Sequence, residues 1–246
     1  MNRVDPIAAA GFGSAAEVYE RARPSYPADA LDWLVSRTGL GPGRTAVDVG
    51  AGTGKLTRLL AGSGAHVVAV EPVAEMRALI DGVEVVDGTA EELPFADGCV
   101  DVVTAAQAFH WFDHARALPE IHRVLRAGGW LALVWNMRDL ANTLQRGVEE
   151  LLQPYRGELV PQRQGQWRGP LAESELFGKE EARFFRYEQR FTVQDLRDRV
   201  ASTSFVAVLP EAERAELLER VSALAAGLAE PFPFPYETEV LLFPRT

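Results

Sequence analysis

The 246-residue chain has a single cysteine, Cys99, so no disulfide can form within it. No apolar run reaches 18 residues, which excludes a simple membrane-spanning helix. The stretch Met1 to Ala16 lacks the apolar core of a secretory leader. Lysine is nearly missing: of 25 basic residues only Lys55 and Lys179 are lysine, a bias that reads as base composition and not as function. Positive charge is outnumbered by 35 acidic residues, for a formal net charge of -10 and a pI near 5.0. That balance argues against a general nucleic-acid surface, which would be basic, and weakly against an anionic membrane partner. Internal repeats and low-complexity tracts are also missing. The expectation is a cytoplasmic protein with no nucleic-acid and no membrane partner. What is present is ordinary globular composition, 47% hydrophobic and 24% charged.

The most informative stretch is Val47-Asp48-Val49-Gly50-Ala51-Gly52-Thr53-Gly54-Lys55. It reads as a buried strand ending on an acid, turning through three alternating glycines into a helix over Leu56 to Ala61. Glycines there let another molecule approach the backbone, because no Cβ intervenes. A dinucleotide turn needs G-x-G-x-x-G, but Lys55 stands at the third glycine. A P-loop needs G-x-x-x-x-G-K-[ST], but Val49 stands at its first glycine and Leu56 at its hydroxyl.

The segment resembles, at every position, the acid-x-Gly-x-Gly-x-Gly motif of class I S-adenosylmethionine (SAM) dependent methyltransferases. The resemblance implies that the backbone of Gly50, Gly52 and Gly54 cradles the amino-acid end of SAM. Asp48 would reach the methionine ammonium directly or through water, a role suited to an acceptor-only carboxylate. Two further runs look like the type 11, trans-aconitate methyltransferase-like group. One is Tyr19-x3-Arg23-Pro24-x-Tyr26-Pro27. The other is Gln107-Ala108-Phe109-His110-Trp111-Phe112-Asp113. The likeness covers Phe12 to Asn136 well and is only general beyond.

Along the chain, apolar runs and helical spacings alternate from Thr45 to Trp135, which means a parallel sheet with right-handed crossovers. Strands are expected at His66–Val70, Val83–Val86, Val100–Ala106 and Trp130–Trp135. Helices are expected at Val73–Ile80 and Asp113–Leu125, the last ended by Gly128-Gly129. Beyond Asn136 come helices at Thr143–Leu152, Val193–Thr203 and Glu211–Leu228, with a strand at Ala182–Arg190. Pro154 to Pro170 reads as polar and irregular. The run Pro231 to Pro235 reads as a stiff connector into a final edge strand, Tyr236–Phe243.

The resemblance implies an α/β, Rossmann-like methyltransferase fold: a mostly parallel seven-stranded sheet with a reversed last strand, amino-terminal lid helices and a carboxyl-terminal substrate-facing insertion. Residues 1–40 would be the lid, 41–136 the SAM-binding core, and 137–246 the insertion and completion of the sheet, in one structural domain overall. Ligands of such sheets bind at the carboxyl ends of the strands. Glu71, twenty-one residues after Gly50, is placed to grip two ribose hydroxyls through a bidentate carboxylate. Asp87 to Phe95 resembles the family's adenine-binding motif, with Thr89 where an Asp often stands, so Glu91 or backbone would make the N6 contact, and Thr89, Ala90 and Glu91 are the cofactor candidates of this loop. Gln107 joins the cofactor set.

Methyl transfer from a sulfonium is an in-line displacement in which positioning does most of the work. A hydroxyl acceptor needs a general base, for which His110 is the candidate, beside the reading of a neutral histidine that fixes its loop. A carboxylate acceptor would need no base. Tyr19, Arg23, Tyr26, Trp111, Asn136 and Arg138 are candidates for lid and acceptor contacts, and Ser202 to Phe205 could reach the same place. His110, His114 and His122 do not share one rigid element, so no metal is expected.

The leading reading is a SAM-dependent methyltransferase acting on a small-molecule acceptor, at a carboxylate or hydroxyl oxygen, and releasing S-adenosylhomocysteine. The alternatives are a SAM-binding regulatory protein without transferase activity and an NAD(P)-dependent Rossmann oxidoreductase. Titration with SAM and with NAD separates the last from the others.

Overall fold

A computed structural model describes residues 20–156, 165 and 167–246. Seven strands form one sheet: β1 (Thr45–Val49), β2 (His66–Val70), β3 (Glu84–Val86), β4 (Val100–Ala106), β5 (Leu125–Arg138), β6 (Glu181–Phe191) and β7 (Phe232–Pro244). Their order is β3-β2-β1-β4-β5-β7-β6. The first five are parallel, and β7 runs antiparallel to both neighbours. This is the Rossmann-like α/β sheet with one reversed strand.

The helices are α1 (Ala28–Thr38), α2 (Lys55–Ala61), α3 (Ala74–Arg77), α4 (His114–Val124), α5 (Thr143–Leu152), α6 (Arg168–Ala172), α7 (Val193–Ala201), α8 (Ser204–Ala207) and α9 (Glu211–Leu224). Strands β1 and β4 are almost wholly buried, as strands covered on both faces must be. On one face Phe109, Ile121, Leu133, Trp135 and Trp167 form a core cluster that includes residues of α4 and α6. A second cluster joins α1 and α2 to Ala46, Val102, Val134 and Val240. A third core holds α5, α7 and α9 together against Phe232, Phe234 and Tyr236 at the start of β7. Helix α7 begins with a capping box, Thr192 Oγ1 accepting from Asp195 N at 3.1 Å while Asp195 accepts from Thr192 N.

Two expectations need correction. Gly128 and Gly129 do not separate α4 from β5: the strand starts at Leu125 and runs through them with a register shift opposite Val100–Val102. A Cβ on Gly129 would lie 2.9 Å from the carbonyls of Arg126 and Asp101, so glycine serves close strand approach there. The second correction concerns the end of the chain. Strand β7 lies inside the sheet between β5 and β6, and β6 is the edge. All of the proline run but Pro231 belongs to β7, where Pro233 and Pro235 pair with Arg190 and Glu188 of β6. Both prolines lie past Tyr236, the last β7 residue opposite β5, so their missing N–H groups interrupt no ladder with β5.

Candidate active site

The glycine turn leaves the carboxyl end of β1 with positive φ at Gly50 (66°), Gly52 (60°) and Gly54 (82°). The three are needed for different reasons. A Cβ on Gly50 would lie 2.7 Å from the Ala108 Cβ, so the loop after β4 packs directly on it. A Cβ on Gly54 would lie 3.0 Å from Ile80 Cγ2. Around Gly52 no atom lies within 4 Å of such a position. Its bare flank faces open space, a cradle that any side chain would fill.

Two buried acids border that turn. Asp48 is 1% exposed, with Thr57 donating to Oδ2 at 2.6 Å and Thr104 to Oδ1 at 2.7 Å. Burial outweighs those bonds and raises its pKa to about 6. Glu71, at the end of β2, is 5% exposed and accepts the backbone N–H of Gly52 at 2.8 Å and of Val73 at 2.9 Å. Burial raises its pKa to about 7, against the lowering effect of those amides and of Arg77.

The segment after β4 packs on the same turn, with Ala108 and Phe112 against Gly50. Gln107 is the one described non-glycine residue with positive φ, at 58°. Its N–H donates to Val134 O at 3.0 Å and its side chain to Asn136 O at 3.1 Å, stitching β4 to β5 beyond their ladder. His110 then sits in a short 3-10 turn, Phe109–Trp111, between the rings of Trp111 (4.6 Å between centroids) and Trp135 (5.5 Å). Its Nδ1 is buried with no hydrogen-bond partner, as is Nε1 of Trp135. Burial, with a smaller contribution from His114, lowers the His110 pKa to about 4, so the ring is neutral near pH 7. Of the adenine-motif residues, Thr89 bridges to Glu92, Ala90 is buried, and Glu91 accepts from Asp113 N at 2.8 Å. The Glu91 carboxylate thereby ties that loop to the start of α4.

The lid and acceptor candidates are spread more widely. Tyr19 lies outside the described residues. Arg23 donates to Ser202 O at 2.7 Å, at the carboxyl end of α7, and Tyr26 packs on the α1–α2 core. Asn136 donates to Ser25 O at 2.9 Å and accepts from Thr238 Oγ1 at 2.6 Å. It therefore fastens the segment before α1 to β7. Arg138, the last residue of β5, pairs with Glu149 at 2.7 Å. A groove of about 860 Å³ opens at this end of the sheet, with Arg138, Trp167, Tyr187 and Tyr236 in its wall. Sequence reading missed Trp167, which stacks on Trp135 at 5.1 Å, and Arg199, which donates to Tyr236 Oη at 3.3 Å. Trp167 lies in the stretch read as irregular. Arg199 lies on a helix whose relation to the sheet no local pattern reveals.

Residues 47–133 match the methyltransferase domain family. An uncharacterized methyltransferase of Mycobacterium tuberculosis is 42% identical over 90% of this chain and 91% of its own length. The chain is a methyltransferase of this family. A solved structure named as a type II methyltransferase from Anaeromyxobacter dehalogenans superposes with a TM-score of 0.68 at 25% identity, covering 91% of this methyltransferase and 97% of that chain. The malonyl-[acyl-carrier protein] O-methyltransferase of Pectobacterium atrosepticum is 30% identical over 63% of this chain and 70% of its own. The methyl donor is S-adenosylmethionine, and the enzyme is SAM-dependent. The crevice suits that donor: an open glycine flank at Gly52 beside two buried carboxylates.

Proposed function

We propose that this methyltransferase moves the methyl group of SAM to a carboxylate oxygen of a small acceptor. The observation that carries the oxygen class is the state of His110, a neutral imidazole with a pKa of about 4 and an unpartnered, buried Nδ1. Such a ring is a weak base for a hydroxyl near pH 7, because the ideal catalytic pKa lies close to the working pH. A carboxylate arrives already ionised and asks for none. His110 then acts by position, offering one ring nitrogen to the acceptor while Trp111 and Trp135 hold its plane. The relative from Pectobacterium, an O-methyltransferase acting on a malonyl group, supports the same class.

In this reading Gly50, Gly52 and Gly54 seat the methionine end of SAM, and Asp48 faces its ammonium. Glu71 accepts the ribose hydroxyls, and Ala90 with Gln107 borders the adenine. SAM supplies an electrophilic methyl on sulfur. The chain's own contribution is to align the acceptor oxygen behind that methyl and to exclude water with Trp111 and Trp135.

The test is incubation with methyl-labelled SAM and a panel of mono- and dicarboxylates, followed by mild alkali. A methyl ester releases its label as volatile methanol. Label that stays with the acceptor would assign the transfer to nitrogen, carbon or an ether oxygen and sink the carboxylate reading.

A further inference from the structure

The groove at the end of β5 has a volume of about 860 Å³, within the usual range of sites for small organic ligands. Its wall draws on one face of the last two strands. Phe184, Arg186 and Glu188 of β6 alternate there, as do Pro235, Glu237 and Glu239 of β7. Trp167, Met137 and Leu140 also line it, with Tyr187 and Tyr236, whose rings stack at 5.6 Å.

Each charged group of this wall already has a partner among the described residues. Arg168 pairs with Glu239 and, at 3.4 Å, with Glu180. Arg186 pairs with Glu237 at 3.3 Å, Arg138 with Glu149 at 2.7 Å and Glu188 with Arg190 at 3.8 Å. Asp139 accepts the N–H of Ala141 at 2.9 Å. A charged ligand group would have to compete with one of these partners, whereas an uncharged group need not. What remains for a ligand is aromatic and aliphatic surface. Phe184 shows this most plainly, because at 52% it is the most exposed large apolar side chain among the described residues. An apolar group left open within a concavity marks a binding surface more than a packing one.

The groove is also joined to His110. Trp167 lines it and stacks on Trp135 at 5.1 Å, and Trp135 lies 5.5 Å from the His110 ring. Met137 and Arg138 of the wall follow directly on Asn136, whose carbonyl is held by Gln107 just before the His110 turn. Two ring spacings thus separate the groove wall from the imidazole.

We propose that this groove receives the body of the acceptor, and that the acceptor is a monocarboxylic acid with an uncharged, largely apolar body. Its carboxylate lies at His110, and its body passes the Trp135–Trp167 pair to rest on Phe184, Tyr187 and Tyr236. This rests on the carboxylate reading of the His110 site and adds what the rest of the acceptor must be. Affinity then comes from apolar burial and not from a second ion pair.

The test uses the full protein saturated with S-adenosylhomocysteine and titrated calorimetrically with benzoate, 3-phenylpropionate and 5-phenylvalerate, with glutarate as the dianionic comparison. Affinity should rise at least tenfold from benzoate to 5-phenylvalerate, and glutarate should bind at least tenfold more weakly than 5-phenylvalerate. Threonine suits an exposed strand position. Phe184→Thr should therefore weaken 5-phenylvalerate at least threefold while affinity for S-adenosylhomocysteine and the melting temperature stay near wild type. A second readout uses the wild-type groove. The indole Nε1–Hε1 resonance of Trp167, identified by its loss in Trp167→Phe, should shift saturably as 5-phenylvalerate is added. The proposal is overturned if affinity does not depend on chain length, if glutarate binds as well as 5-phenylvalerate, if Phe184→Thr binds like wild type, or if the Trp167 resonance stays fixed. With methyl-labelled SAM as cofactor, 5-phenylvalerate should yield label that mild alkali releases. Length-dependent binding without that ester would leave an apolar groove but sink the carboxylate reading, and the monocarboxylic acceptor with it.

Discussion

The carboxylate of Glu71 closes on the backbone of Gly52, Oε2 accepting that amide at 2.8 Å. The same acid is thus the partner of the turn's most open glycine and the proposed holder of the ribose. Cofactor and turn draw on one carboxylate whose pKa, raised by burial, is about 7. An ionised carboxylate makes stronger hydrogen bonds to hydroxyls than a protonated one. SAM affinity should therefore rise as pH increases through 7. In Glu71→Gln the rise over the same range should be smaller, leaving only the part that Asp48, with a pKa of about 6, contributes, and affinity should be about ten- to a hundredfold weaker at pH 8, the worth of a charge-assisted bond. Calorimetric titration at pH 6 and pH 8 reads both effects, and equal pH dependence in the two proteins would remove Glu71 from the ribose.

The same shift has a consequence for stability without cofactor. Glu71 holds its proton more tightly in the folded protein than in the unfolded chain, where the ordinary value is 4.5. Its contribution is therefore fully present below about pH 4.5 and is lost as pH rises through 7. Glu71→Gln, which does not ionise, should gain stability relative to wild type between pH 5 and pH 8, by up to about 3 kcal/mol. Urea unfolding at the two pH values measures the difference, and a gap that does not grow contradicts it.

Glycines of one turn should fail differently. Gly52→Val places a β-branched residue at a φ of 60° and fills the open flank, so SAM binding should be lost from a protein that still folds. Gly50→Ala drives a methyl to 2.7 Å from Ala108, so its main effect should be a lowered melting temperature. Thermal melting and SAM titration on both variants separate the two outcomes.

For His110, position and not proton transfer is expected to matter. At saturating SAM, kcat should show no limb near pH 6.5 that belongs to His110, because that ring is already neutral there. His110→Ala should lower kcat several-fold more than it changes SAM affinity. A limb near pH 6.5 that vanishes in His110→Ala would restore the general-base role.

The strand–helix alternation from Thr45 to Val124 was legible because parallel strands buried on both faces are written as continuous apolar runs, as in Val100 to Ala106. The glycine turn and Glu71 were legible for a related reason: their spacing is set by one strand–turn–helix unit. Strand β7 was harder. Its prolines are tolerated only because β5 stops opposite Tyr236, a tertiary fact. Trp167, Arg199 and Tyr236 were out of reach for the same cause. They come from three distant parts of the chain and converge only when α7 and β7 close over the end of β5, so no local period marks them. Asn136 and Arg23 were read as candidates for lid and acceptor contacts, and their hydrogen bonds to Ser25 and Ser202, which no local pattern shows, join the amino-terminal segment to the rest.

A crystal structure with S-adenosylhomocysteine decides most directly between this arrangement and another. The expected density has the methionine end of the ligand against the bare flank of Gly52 and both ribose hydroxyls on the Glu71 carboxylate, turned away from the Gly52 amide. A ligand whose ribose lies elsewhere, with Glu71 still bonded to Gly52, would contradict it.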